Sequence, residues 1–198
     1  MSDIYYTIKG AGESQYKEKM SRFLSFAIPV SDAEEAKGEV KRFQNRFHDA
    51  RHVCWAYMIG PDRLEWQLND NGEPSGTAGK PILGQLLSQE VTDCLIVVVR
   101  YFGGTKLGVP GLIAAYRESA ADVLAAARIV EKTVDRHFTI RFPYLVMNDV
   151  MRIVKEEQPA VLGQEFDNLC TMRLSIREIR AEGLIGRLRK AGAGIDDE

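Results

Sequence analysis

The stretch 94-CLIVVVRYFGGTKLGVPG-111 decides the fold of this chain. Its first nine residues form a continuous, largely β-branched run, which is typical of a strand covered on both faces. The glycine loop 103–111 follows directly. A long alanine-rich helix is then predicted from the spacing of its buried side, Leu112, Ala115, Tyr116, Ala120, Val123 and Ala127. A buried strand that passes through a glycine loop into a helix indicates an α/β unit.

Upstream of this stretch, the pattern predicts a strand, a helix and a hairpin. The strand covers 23–30, and the helix covers 31–50 with Ser31 and Glu34 as a capping-box pair. Its core-facing stripe is Ala33, Ala36, Val40, Phe43 and Phe47. Alternating residues in 53–59 and 64–68, joined by a short turn, predict a β-hairpin. Pro81 suits the first position of another short helix.

The chain changes character near residue 132. Strands are predicted at 137–144, 160–166 and 170–179, helices at 145–157 and 182–190, and a last edge strand in the tail 193–198. This βαββα(β) order is the ferredoxin-like pattern. We therefore expect an α+β protein with two domains, 1–132 and 133–198, joined through the charged stretch 131–136.

Composition excludes several classes of protein. The 198 residues carry a formal net charge of −2, so no global positive field recruits nucleic acid, and a polyanion site must be a local patch. The three cysteines are odd in number and far apart, which favours reduced thiols. The N-terminal residues lack the apolar core of a signal peptide, and no apolar run is long enough to span a membrane. The expectation is a cytoplasmic protein that does not use a membrane.

The glycine-rich stretch 70-DNGEPSGTAGKPIL-83 has two interpretations. It is either a loop that wraps an anion or a tight packing corner. A nucleotide-hydrolysing P-loop is excluded because Pro74 and Pro81 replace the required glycine and hydroxyl residues. The second loop, 103–111, lacks the dinucleotide fingerprint, although its place before a helix favours an anion. Asp70 and Glu73 are an acid–base pair, oxygen ligands for a cation, or parts of a plain turn in which Asn71 and Gly72 supply positive φ.

No metal, cofactor or catalytic set is predicted. His52 and Cys54 are too few for zinc, and the remaining cysteines and histidines lack ligand spacing. Sets such as Ser/His/Asp are assembled in space, so spacing alone assigns none here.

Four segments resemble the IMPACT/YigZ family: 16-YKEKMSRF-23, 52-HVCWAY-57, 70-DNGEPSGTAGKPIL-83 and 97-VVVRYFGGTKLGVPGLIAAY-116. They occur in the order and spacing of the family and cover about residues 13–125. The family pattern usually has a glycine at Pro110 and a basic residue at Ala114. The tail resembles the additional C-terminal domain of the bacterial YigZ-type members. The resemblance implies a first domain like domain IV of elongation factor G and a ferredoxin-like second domain like its domain V.

These two domains of elongation factor G work on the ribosome or on RNA. The resemblance therefore implies a non-enzymatic nucleic-acid or ribosome-binding protein with a role in translation or its regulation. RNA, the ribosome or a translation-regulating protein are the expected partners, and the oligomeric state is open. The alternatives are an enzyme acting on a small phosphorylated or acidic substrate, and a protein-interaction module. The candidate surface comprises Arg51, Asp70, Gly72, Glu73, Ser75, Gly76, Thr77, Gly79, Lys80, Arg100, Gly103, Gly104, Lys106 and Gly108. An anion is expected near Lys80, Thr77 and the amides of Gly76 and Gly79, in a cleft shared by the two glycine loops.

Overall fold

The computed structural model describes residues 3–197. It divides into two compact units. The larger unit comprises residues 5–132, and the smaller unit combines residues 133–197 with residues 3 and 4. The charged stretch 131–136 is not a free linker, because strand β7 (Ile129–Thr133) and strand β8 (Asp135–Pro143) leave only Val134 between them.

A five-stranded antiparallel sheet forms the centre of the larger unit. Its order is β2 (Gly12–Glu18), β3 (Ser21–Pro29), β6 (Cys94–Tyr101), β4 (His52–Ile59) and β5 (Glu65–Asn69). The predicted hairpin is the β4–β5 pair. The strand in the deciding stretch is therefore the middle of the sheet.

Helices cover both faces of this sheet. Helix α1 (Ala33–Arg46) packs on the face that carries Leu95, Val97 and Val99 of β6. Helices α2 (Gly79–Ser88) and α3 (Gly108–Ala127) pack on the opposite face, which carries Cys94, Ile96 and Val98. Because both faces are covered, β6 is buried at every position from Cys94 to Arg100. The predicted strand covered on both faces is therefore confirmed.

The start of α1 differs from the prediction. Asp32, not Ser31, is the N-cap, and its carboxylate accepts a hydrogen bond from the Glu35 amide at 2.8 Å. Glu35, not Glu34, reaches back to the amide and hydroxyl of Ser31. The capping-box expectation was wrong by one residue, because aspartate caps a helix as well as serine does and this helix begins at Ala33. The helix ends at Arg46, earlier than expected, and its apolar stripe is confirmed against the sheet.

Other boundaries also differ. Strands β1 (Ile4–Ile8), β2 and β7 were not predicted: β1 and β7 are only five residues long, and β2 and β7 carry charged residues. Strand β1 pairs with β7 in a separate two-stranded sheet. Helix α2 begins at Gly79, two residues before Pro81.

The smaller unit is ferredoxin-like. Besides β8, its elements are α4 (Met147–Glu157), β9 (Ala160–Glu165), β10 (Leu169–Arg177), α5 (Glu178–Lys190) and β11 (Gly194–Asp197). The four strands form an antiparallel sheet with the order β11-β8-β10-β9, and both helices pack on one face of it. The edge strand in the tail is confirmed, although its predicted end, Glu198, lies outside the described residues. Helix α5 starts four residues before the predicted Glu182. The α+β class is confirmed.

Candidate functional site: a cationic cleft with a buried glutamate

The candidate site lies in the larger unit, at the end of the sheet where β3 and β4 begin and β6 ends. In the register, Arg100 of β6 stands opposite both His52 of β4 and Phe23 of β3. Because side chains alternate along a strand, Arg100 falls on the face covered by α3, together with Cys54 of β4. The β-sheet therefore brings a cation, an imidazole and a thiol to one place.

Glu73 is the centre of the hydrogen-bond network. Its side chain is only 3% exposed, and its Oε1 accepts a hydrogen bond from Arg100 Nη1 at 2.7 Å and from the Tyr116 hydroxyl at 2.7 Å. Oε2 lies 3.7 Å from His52 Nε2. The pair with Arg100 compensates a carboxylate that burial would otherwise disfavour strongly. Glu73 thus links the first glycine loop to β6 and α3.

A thiol and a phenol extend this network. The Cys54 thiol lies 3.0 Å from the Asp70 carbonyl oxygen and 3.3 Å from the Tyr116 hydroxyl oxygen. Burial raises the pKa of Cys54 and of Tyr116 well above their ordinary values. Both groups therefore stay protonated at neutral pH, so they act as hydrogen-bond donors and not as nucleophiles.

Asp70 organises the first glycine loop. Its Oδ2 accepts a hydrogen bond from the Gly76 amide at 2.8 Å, and its Oδ1 accepts from the amides of Ala78 at 3.0 Å and Gly79 at 2.8 Å. An anion was expected at the amides of Gly76 and Gly79, and the structure corrects this expectation: the chain's own carboxylate occupies them. The loop does wrap an anion, but that anion is Asp70 at the N-terminus of α2.

The same loop is also a packing corner. A Cβ atom on Gly79 would lie 2.8 Å from Leu68 Cδ1 and 3.1 Å from the Asn69 amide nitrogen. Asn71 and Gly72 have φ angles of 42° and 83°, as predicted for the turn. The two interpretations of the stretch 70–83 therefore hold together.

Above this network lies a cleft of about 420 Å³. Both glycine loops line it, as expected from the sequence. Its polar lining consists of three cations, one imidazole and one carboxylate, and the rest is mainly apolar. The lining residues are Arg51, His52, Glu73, Pro74, Arg100, Phe102, Lys106, Leu107, Gly108, Val109 and Leu112. Clefts of this size and mixed lining are typical ligand sites.

The structure separates the sequence-predicted residues into three groups. Arg51, Glu73, Arg100, Lys106 and Gly108 line the cleft. Asp70, Gly76, Thr77 and Gly79 are engaged inside the first loop, where the Thr77 hydroxyl donates to the Pro74 carbonyl. The rest lie outside the lining: Gly72 beside His52, Gly103 beside Met20, and the exposed Ser75, Lys80 and Gly104. Lys80 is thus not among the residues that line the cleft with Lys106.

Sequence reasoning missed four residues that the site uses. His52 and Cys54 were weighed only as metal ligands, Tyr116 only as a core position, and Phe102 only as the end of a strand. Their partners lie far away in the chain, so no local spacing reveals them. Within residues 3–197, no cluster of histidine, cysteine and carboxylate side chains could hold a metal. No helix in this range has the length and apolar character to cross a membrane.

The fold and the cleft define a class of two-unit α+β proteins, and comparison with known proteins identifies the family. The model of the Impact N-terminal domain matches residues 19–124, which covers strands β3 to β6, both glycine loops and the cleft. The chain belongs to the IMPACT family.

Relatives extend the match over both units. IMPACT family member YvyE of Bacillus subtilis is 37% identical over 158 residues, covering 80% of this chain and 73% of the relative. An IMPACT family member of Haemophilus influenzae is 30% identical over 192 residues, covering 96% and 93%. YigZ of Escherichia coli is 31% identical over 160 residues, covering 80% and 78%. The crystal structure of a hypothetical protein, 25% identical, matches all of this chain and 98% of its own with a TM-score of 0.75.

Proposed function

We propose that this IMPACT family member binds RNA, free or in the ribosome, through the cleft of its larger unit, without catalysing a reaction on it. The observation that carries the proposal is the grouping of Arg51, Arg100 and Lys106 around one cleft in a chain of net charge −2. Such a local concentration of positive charge on an acidic protein is suited to phosphates. A role in translation or its regulation, in the cytoplasm, follows from the resemblance to the family.

The two rim cations are the groups that we expect to contact phosphates. Arg51 and Lys106 are exposed, and neither forms an ion pair within the described part of the chain. Arg100 is different, because it is 5% exposed and its guanidinium already pairs with Glu73. An exposed cation that binds a phosphate displaces counterions from the RNA. A buried ion pair instead links the elements of the site to one another.

The test removes the rim charges. We expect the Arg51→Ala/Lys106→Ala variant to bind a fluorescently labelled single-stranded polyuridine RNA more weakly than the parent. We also expect a smaller salt dependence, by about 0.7 in the logarithmic slope for each lost phosphate contact. Fluorescence anisotropy at several salt concentrations measures both quantities. The matched control is Lys37→Ala/Lys41→Ala, which removes two exposed charges from α1 on the opposite face of the sheet.

Two results would contradict the proposal. One is the absence of any RNA association by the parent at ~50 mM salt, where phosphate contacts are strongest. The other is that the rim variant and the α1 control weaken RNA binding equally, because binding would then depend on the overall charge and not on the cleft.

A second candidate function is supported by the His52–Glu73 pair. An imidazole and a carboxylate separated by 3.7 Å in a cleft are groups that enzymes use as general acids and bases. The substrate class would be a small phosphorylated or acidic compound held by the same cations. A thermal-shift screen with phosphorylated metabolites distinguishes the candidates, because a tight small ligand stabilises the folded protein in the absence of RNA.

A further inference from the structure

We infer that the cleft takes one unstacked nucleotide unit, with its base against the apolar wall and its phosphate at the rim. This inference rests on the proposed function for the source of the nucleotide, a single-stranded RNA. It adds the ligand class that the shape and chemistry of the cleft select. A free mononucleotide shares this chemistry, and the experiment separates the two sources.

The cleft has two kinds of lining residue. Phe102, Val109 and Leu112 form apolar lining, whereas Arg51 and Lys106 carry charge. The apolar residues offer a bare phosphate no favourable contact, and the cations offer a purely apolar ligand none. A nucleotide has an apolar flat base and an anionic phosphate. Phe102 is 47% exposed, so part of its ring is free for stacking.

The inner polar groups restrict where a phosphate can lie. Glu73 Oε2 accepts no hydrogen bond within residues 3–197, and its charge would repel a phosphate placed beside it. The phosphate therefore belongs at the rim, and the Glu73 side of the cleft suits a neutral group that donates a hydrogen bond. Base edges and ribose hydroxyls are groups of this kind.

One of the lining residues also has an unsatisfied hydrogen-bond donor. Arg100 lines the cleft and is only 5% exposed, yet its Nε atom is buried without an acceptor in the described part of the chain. Buried donors of this kind usually have a partner, and an unpaired one marks a place for a missing ligand or water. Two lining residues, Arg100 and Glu73, thus carry one unpaired donor and one unpaired acceptor within the described range.

His52 completes the inner surface. Its Nδ1 lies 2.8 Å from the Asn71 carbonyl oxygen, which fixes the proton on Nδ1 and leaves Nε2 toward Glu73. A base edge that enters here meets a fixed set of donors and acceptors. Bases in a duplex have their edges paired and their faces stacked, so only an unpaired nucleotide can enter.

The experiment compares three probes on the full chain: labelled single-stranded polyuridine RNA, a blunt RNA duplex, and uridine monophosphate. We expect the single strand to bind more tightly than the duplex at equal salt. Phe102→Ala should weaken single-strand binding by about 5- to 140-fold, the range for loss of one base–aromatic stack. The control is Phe166→Ala, a phenylalanine of similar exposure in the smaller unit, 46% against 47%. It should leave binding unchanged.

Each outcome decides a different point. If the single strand and the duplex bind equally and Phe102→Ala has no effect, the inference is overturned, while loss of binding in the rim variant still supports RNA contact. If no RNA binds but uridine monophosphate does, and this depends on Phe102, the nucleotide unit is supported and the proposed function fails. If none of the three probes binds, both proposals fall.

Discussion

The ion pair between Glu73 and Arg100 allows a quantitative test of the candidate site. The side chains are 3% and 6% exposed and 2.7 Å apart, so water screens their attraction little. Glu73→Gln keeps the shape but leaves the Arg100 cation buried without a counter-charge. Removing one partner of a buried pair typically costs about 3–5 kcal/mol. With a urea m-value of about 2 kcal/mol/M, the unfolding midpoint should fall by about 2 M.

Tryptophan fluorescence is the assay, because both tryptophans, Trp55 and Trp66, lie in the larger unit and report its unfolding alone. Tyr116→Phe is a milder variant that removes one hydrogen bond to a charged group. It should cost about 1.5–3 kcal/mol. This second variant keeps the test decisive if Glu73→Gln does not fold.

A double-mutant cycle tests whether Glu73 and Arg100 are energetically coupled. Arg100→Met alone should destabilise the larger unit, because it leaves Glu73 buried and unpaired. Combined with Glu73→Gln, it removes both charges, so the loss should be smaller than the sum of the single losses by about 2–3 kcal/mol. If the two losses add to within about 0.5 kcal/mol, the groups are not coupled, and Glu73 is not the centre of the network.

Three further predictions follow from single contacts. Gly103→Ala should lower the urea midpoint by the equivalent of about 1–3 kcal/mol, because its Cβ would lie 2.1 Å from the Met20 carbonyl carbon; an unchanged midpoint would contradict the close approach. Asp70→Ala should speed amide hydrogen exchange at residues 76–79, because three amides lose their acceptor; unaltered exchange would show that another group holds the loop. The Arg177 guanidinium lowers the pKa of Asp3, so this pair stabilises the smaller unit above about pH 4, and that contribution is lost as the pH falls through the lowered pKa. Amide exchange in β10 should show this acid dependence in the parent and less of it in Asp3→Asn.

We propose further that the domains expected from the sequence, 1–132 and 133–198, unfold separately. The strand structure of 131–136 gives a protease little flexible chain, so loop tips should be cut before this boundary. Limited proteolysis followed by mass spectrometry measures the order of cutting. First cleavage inside β6 would contradict the buried strand.

The parts of the fold that the sequence predicted are those with a local periodic signal. The apolar run of β6, the stripe of α1 and the ferredoxin-like order all follow from residues close together in the chain. The strands that escaped prediction lack a strong apolar alternation: β1 and β7 are only five residues long, and β2 and β7 carry charged residues at partly exposed positions.

The candidate site could be predicted only in part, because it depends on contacts between distant residues. Glu73 and Arg100 were included for their charge, yet their pairing spans 27 positions, and the contact of Cys54 with Tyr116 spans 62. A tyrosine at helical spacing is indistinguishable in sequence from any core tyrosine. The sheet register sets His52 opposite Arg100, and the first glycine loop and α3 bring Glu73 and Tyr116 to the same place.

The run 70-DNGE-73 shows that a glycine-rich composition does not by itself establish a ligand site. Asp70 holds the loop amides, and the Asn71 side chain accepts a hydrogen bond from the Val53 amide at 2.8 Å. Gly72 turns the chain at a φ of 83°, and Glu73 enters the buried network. Each of the four residues therefore has an internal contact or conformation that accounts for it without a ligand. Because Asp70 already satisfies three of the loop amides, a ligand is supported by the exposed rim cations and by the unpaired donor of the lining residue Arg100, and not by the glycines that first suggested a phosphate.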